Sequence, residues 1–169
     1  MIVSDLMTPA VKSCGIHDNL DRAARIMWEN DCGIVPMIDG ERRVLGMITD
    51  RDICMAAYTR GHELSRIPVS TAMAKKIHAV HENDRIEVAE GLMQRAQVRR
   101  LPVLDREGRL KGILSMNDLV RHANLSAGRK AGGLGSDSIA QTLAAICEPR
   151  GVTIARIPRT RGILAHFFS

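Results

Sequence analysis

Residues 46–53 read GMITDRDI, and residues 112–119 read GILSMNDL. Each opens on a glycine, runs through an apolar pair to a hydroxyl residue, and places an aspartate three positions after that hydroxyl. The two stretches lie 66 residues apart. Outward from them the same offset holds without a gap. Val3, Ser4, Met7, Asp18, Ala23, Met27, Pro36 and Asp39 recur as Val69, Ser70, Met73, Asp84, Ala89, Met93, Pro102 and Asp105. Conservative pairs fill the spaces, among them Leu20 with Ile86, Val35 with Leu101, and Ile48 with Leu114. A period this long exceeds the range of solenoid repeats, so the chain reads as one duplicated supersecondary unit that pairs with its own copy.

The 169 residues suit one domain, large enough to bury a core without disulfide or metal staples. The net charge of +5 suggests nucleic acid until it is located. Arg150, Arg156, Arg159 and Arg161 all fall in the last twenty residues, which hold no acid, and the body is close to neutral. That distribution speaks against a nucleic-acid surface, and the scarcity of aromatics removes base-stacking platforms. Cys14, Cys32, Cys54 and Cys147 are scattered with no Cys-x-x-Cys pair and no secretory leader ahead of them, so a reducing cytoplasm is expected. His78 and His81 have no second ligand pair, so no metal site is expected. No apolar run approaches the ~20 residues that span a bilayer.

Along the first copy, Ser4 is placed to cap a short turn through Met7, and residues 10–14 fit a short strand. A helix over 19–29 follows, with Leu20, Ala23, Ala24, Met27 and Trp28 at helical spacing and Asp18 as cap candidate. Residues 34–38 and 44–48 read as adjacent strands joined by an Asp-Gly turn, and a helix starts after Thr49 and runs to about Arg60. The second copy repeats this order, with its first strand near Ile77 and its last helix starting at Met116. The expected divisions are a first repeat over 1–62, a second over 63–125, a Gly-rich linker over 126–135, a short helix over 136–149 and a basic tail over 150–169. The short helix puts Ile139, Leu143 and Ile146 on one face.

The two quoted stretches carry the chemistry, and their spacing admits two readings. In one, Thr49 caps a helix and Asp52 reaches back to it as a capping box, with Ser115 and Asp118 doing the same. In the other, the first turn of each helix receives a phosphate, the hydroxyl adds a hydrogen bond, and the aspartate accepts from a vicinal diol such as a ribose.

Two copies of strand, helix, strand, strand, helix share an N-terminal turn bearing Met7 or Met73. Each also has an apolar-Pro dipeptide (Val35 with Pro36, Leu101 with Pro102) and the Gly-x-x-Thr/Ser-x-x-Asp ending. In these features the chain resembles the cystathionine-β-synthase-type (CBS) domain pair over residues 1 to about 124. The resemblance implies an α/β (α+β) fold in which two β-α-β-β-α repeats are related by a pseudo-two-fold axis. It also implies clefts between them that bind AMP, ADP, ATP or S-adenosylmethionine, with no cofactor required. Asp52 and Asp118 then correspond to ribose contacts, and Thr49 and Ser115 to phosphate-side hydroxyls. Arg99 and Arg100 correspond to phosphate-binding cations, where the first copy has Gly33 and Ile34. Asn117, neutral where the first copy has Arg51, completes the candidate set, and Val11 and Ile77 are expected near the adenine.

No phosphate-cradling Gly-x-x-x-x-Gly-Lys loop, Gly-x-Ser-x-Gly elbow or paired acid and base is present, so no enzyme is expected. The expectation is a cytoplasmic adenosyl-nucleotide sensor acting on a separate effector protein or on its own assembly. By resemblance that assembly is a homodimer, with Trp28, Met55 and Leu119 as candidate contacts. The alternative is a non-catalytic interaction scaffold whose CBS pair is structural.

Overall fold

The computed structural model describes residues 1–126 and 135–149. Most of the expected linker and all of the basic tail lie outside the described residues. The first copy supplies β1 (Thr8–Pro9), β2 (Cys14–Gly15), α1 (Leu20–Glu29), β3 (Ile34–Ile38), β4 (Val44–Thr49) and α2 (Asp50–Arg60). The second supplies β5 (Val80–His81), α3 (Ile86–Ala96), β6 (Arg100–Leu104), β7 (Leu110–Ser115) and α4 (Met116–Ser126). A last helix, α5 (Ser136–Cys147), follows.

Each copy builds its own small sheet. β3 pairs antiparallel with β4 and parallel with β2, and β6 pairs in the same way with β7 and β5. β3 and β6 are the central strands, and three successive residues of each are buried, Val35 to Met37 and Leu101 to Val103. Proline is tolerated there because β2 and β5 pair only beyond it: Cys14 with Met37, and Val80 with Val103. Leu20, Ala23, Ile26 and Met27 form the buried stripe of α1; Ile86, Ala89 and Met93 form that of α3.

The two halves are joined by an exchange of their N-terminal segments. β1 belongs to the first copy yet pairs antiparallel with β7 of the second, Thr8 opposite Ile113. In return Ala74 exchanges both backbone hydrogen bonds with Met47 of β4, at 2.8 and 3.0 Å. Val3 sits fully buried in the core of the second half, and Val69 in that of the first. The exchange explains the glycine that opens each quoted stretch. A β-carbon on Gly46 would meet the Met73 sulfur at 2.5 Å, and one on Gly112 would strike the Thr8 carbonyl oxygen. Near the pseudo-two-fold axis, Arg43 bridges its own counterpart Arg109, and the Leu110 amide donates to the Arg42 carbonyl at 2.9 Å.

Several sequence expectations change. The strand over 10–14 narrows to Cys14–Gly15 because Ala10 adopts a left-handed conformation, φ 51°, and turns the chain. Its counterpart forms at Val80–His81 instead of near Ile77. Asp18 does not cap α1: its carboxylate accepts from the Gly15 amide at 2.7 Å, and Asn19 occupies the cap position. Trp28, placed on the apolar face of α1 by spacing, is 89% exposed. Leu119 is fully buried, which removes it from the candidate dimer contacts.

Helix α5 packs across α3 and α4, and its inward face differs from the expected one. Ile139, Thr142 and Ile146 are buried while Leu143 is 42% exposed. The seam is partly polar. Gln94 donates to the Thr142 hydroxyl at 2.7 Å, the Ser138 hydroxyl donates to the Glu90 carboxylate at 2.9 Å, and the Gln97 amide donates to the carbonyls of Ala145 and Glu148. Burial raises the pKa of Glu90, and the nearby Glu87 charge adds to the rise, against a smaller opposing pull from the Ser138 hydroxyl.

Two outcomes follow from this packing. Gly112→Ala forces a β-carbon into the crossing backbone and is expected to cost about 1–3 kcal/mol in urea unfolding. Gly40→Ala, with nothing within 4 Å, is expected to be nearly neutral. Because the folded chain holds the Glu90 proton more tightly than the unfolded chain, its contribution is complete below pH 4.5 and is lost as pH rises through the raised value. Glu90→Gln removes that loss, so the thermal midpoint of the variant relative to wild type is expected to climb over this range; a constant difference would contradict it.

Candidate functional site

Both quoted stretches form capping boxes. At α2 the Asp52 carboxylate accepts from the Thr49 amide at 2.9 Å and from its hydroxyl at 2.7 Å, and the Asp52 amide donates back to that hydroxyl at 3.2 Å. At α4 the Asp118 carboxylate accepts from the Ser115 amide at 2.8 Å and hydroxyl at 2.6 Å, and the Asp118 amide donates to Ser115 Oγ at 3.3 Å. In each box both bonds that the carboxylate accepts fall on one oxygen, Oδ2. In Asp118 the other oxygen, Oδ1, takes a charge-assisted bond from Arg121. The Asp118 side chain is 5% exposed and that of Arg121 72%, so the pair joins a fixed anion to a cation anchored only at its tip.

A cavity of about 790 Å³ opens beside this second box. One wall is the exchanged segment Thr8–Lys12, another is Asn30–Cys32 with Ile34, and the third comes from the second copy: Arg100, Ile113, Ser115, Asn117, Asp118, Val120 and Arg121. Val11, Ile34, Ile113 and Val120 supply apolar surface, while Ser115, Asn117, Asp118 and Arg100 bring polar groups to it. Among the described residues Arg100 has no ion-pair partner. The α4 amides are less free than its position suggests. That of Met116 donates to the Arg99 carbonyl at 2.9 Å, and that of Asp118 to Ser115.

The sequence candidates therefore divide. Arg100, Ser115, Asn117 and Asp118 come together on this cavity, along with Val11. Thr49 and Asp52 cap the pseudo-equivalent helix outside it, and Arg99 turns to α5, its guanidinium 3.8 Å from the Cys147 sulfur. Sequence reasoning missed Thr8 to Ala10, Lys12 and Asn30 to Cys32. Only the exchange of N-terminal segments brings residues 8–12 against the second copy, and no local pattern marks it. Among the described residues no group of three or more His, Cys, Asp and Glu side chains is placed to hold a metal ion. All four cysteines are free, and burial, with the Asp18 charge adding, pushes the Cys14 thiol up to about 11. No helix among the described residues is long and apolar enough to cross a membrane.

The two boxes give a matched test of capping. Thr49→Ala and Ser115→Ala are each expected to cost about 1 kcal/mol in urea unfolding at an unchanged denaturant slope, since each removes one cap hydroxyl.

The family model of the CBS domain matches residues 3–58 and 62–124. Hypoxic response protein 1 of Mycobacterium tuberculosis is 33% identical over 145 residues, spanning 86% of this chain and 93% of that protein. A crystal structure of Hypoxic Response Protein I with two coordinated zinc ions, 33% identical, aligns at a TM-score of 0.66 over 72% of this chain and 98% of that one. The crystal structure of CBSX2 in complex with AMP aligns at 0.65 with 28% identity, over 76% and 98% of the two chains. That of the CBS domain pair of protein MJ0100, in complex with 5′-methylthioadenosine and S-adenosyl-L-methionine, shares the fold at 0.63 with 22% identity, over 77% and 98%. Two matched repeats, and likeness over nearly the whole length of these chains, place this protein in the CBS domain family as a tandem CBS pair.

Proposed function

We propose that the chain is a regulatory, non-catalytic module that binds an adenosyl ligand in the cavity between its two repeats. The observation that carries this reading is Arg100: a guanidinium with no ion-pair partner among the described residues, lining the same cavity as the buried Asp118. A nucleotide supplies what that pairing lacks. Its phosphate meets Arg100, its ribose hydroxyls reach the Asp118 carboxylate, and its base lies among Val11, Ile34 and Ile113. With the Met116 and Asp118 amides already engaged, Arg100 rather than the helix end carries phosphate affinity. The AMP complex of the similar CBSX2 structure supports the same ligand class.

The pseudo-equivalent position of Arg100 is Ile34, so phosphate affinity concentrates at this one cavity. Self-association as a homodimer belongs to the same reading. Met55 is exposed on helix α2, and a mass measurement in solution reads the stoichiometry.

Calorimetric titration with AMP, ATP and S-adenosylmethionine tests the proposal. Wild type is expected to bind at least one of the three. Arg100→Ala is expected to weaken AMP or ATP about 10-fold or more while leaving S-adenosylmethionine, which has no phosphate, little changed. Asp118→Ala weakens all three, whereas Asp52→Ala, which loses a matching cap away from the cavity, keeps wild-type affinity. Failure of all three ligands to bind wild type refutes the reading.

A further inference from the structure

A second hollow of about 610 Å³ lies on the first repeat, lined by Met27 and Trp28 of α1, Gly33, Asp31 and the start of α2 at Asp50. It shares Asp31, Cys32, Arg100 and Asn117 with the ligand cavity. Its meaning comes from the duplication. Shifted by 66 residues, Trp28, Asp31, Gly33 and Asp50 become Gln94, Gln97, Arg99 and Met116. Helix α5 fills that counterpart. Gln94 bonds Thr142, Gln97 bonds the carbonyls of Ala145 and Glu148, and Arg99 meets Cys147. Met93 and Met116 share a core cluster with Ile139 and Ile146. One repeat thus has its groove covered by a segment of the chain, and among the described residues the other is left uncovered.

The uncovered groove has diverged in a definite chemical direction. Where the covered one offers two glutamines and a methionine, it offers two carboxylates and an exposed indole. Neither Asp31 nor Asp50 is in an ion pair among the described residues. Arg100 is the one cation on its lining. Such a surface suits an arginine-rich segment, each guanidinium pairing with a carboxylate or stacking on the Trp28 face. It does not suit a second α5, since residues 136–149 contain Asp137 and Glu148 and no basic residue.

We propose that residues 150–169 of the same chain dock in this groove, so that both repeats are covered by segments from the C-terminus. Those twenty residues carry four arginines, no acid and both phenylalanines of the chain. They start in the right place. The Glu148 carbonyl is held by Gln97 at 3.0 Å, and Arg99 is bonded to Cys147. Its neighbour Arg100 reaches within 3.8 Å of where a β-carbon on Gly33 would stand. Extended chain covers about 3.3 Å per residue, so twenty residues span the groove with length to spare.

Trp28 is the only tryptophan in the chain, which makes the groove its own reporter. The full chain is compared with a full-length variant in which Arg150, Arg156, Arg159 and Arg161 are all changed to Glu, by emission maximum and acrylamide quenching. Docking predicts a blue-shifted, several-fold less quenched Trp28 in wild type, shifting toward the variant as salt is raised and independent of protein concentration. Asp31→Lys with Asp50→Lys in the wild-type tail is expected to reproduce the exposed signal. Equal quenching in wild type and the tail variant overturns the proposal. So does shielding that grows with protein concentration and survives the tail changes, which would assign the groove to a second copy.

Discussion

The structure depends on a backbone crossing. Each repeat sends its first few residues over to the other, and at the crossing point the incoming chain runs so close to β4 or β7 that no β-carbon fits at Gly46 or Gly112. The exchanged segments bury Val3 and Val69 in the opposite cores and complete the opposite sheet edges. A repeat of about sixty residues is marginal on its own, and here each core is completed by a residue of the other repeat. The halves therefore cannot separate without unfolding, and any ligand between them acts on one cooperative body.

The same crossing makes the cavity. Once β1 is committed to β7, Ala10 turns the chain back with a positive φ, and residues 11 and 12 are carried past the start of α4. The cavity is consequently bounded by both copies although its polar groups come mainly from the second. Helix α5 then breaks the symmetry from outside. It engages Arg99 and Gln97 on the second repeat, while among the described residues Trp28, Asp31 and Asp50 of the first repeat meet no such helix. A duplicated chain thus presents two different faces, and the differences lie at positions where the repeat itself is not identical.

Much of this was legible in the sequence because duplication shows every signal twice. Helices with a strong apolar stripe and strands between Asp-Gly turns appear close to where spacing puts them. The capping boxes at Thr49 and Ser115 are one of the two readings that the three-residue spacing allows. What escaped is non-local. No periodicity states that Val3 belongs to the core of residues 80–123, and period-3.6 reading cannot tell that Trp28 lies just past the edge of the α1 stripe. Leu143 was misplaced for a related reason. The seam between α5 and α3 is closed partly by hydrogen bonds, so a threonine at position 142 points inward and a leucine outward. Apart from Val11, which the family resemblance placed near the adenine, the cavity wall at residues 8–12 was hidden because it exists only through the exchange.

Asp118 shows how one residue serves both the fold and a candidate site without contradiction. Its Oδ2 is committed to the Ser115 cap, as the Oδ2 of Asp52 is to Thr49. Its Oδ1 is held by Arg121, whose side chain is otherwise largely in solvent. In the proposed reading a sugar hydroxyl meets the carboxylate at Oδ1 and leaves the cap bonds on Oδ2 intact. The cap fixes the carboxylate in space through Oδ2, and Arg121 pairs with the second oxygen. An aspartate that merely capped would need no such partner, as Asp52 illustrates: it has the same box, lies outside the cavity, and has no ion-pair partner among the described residues.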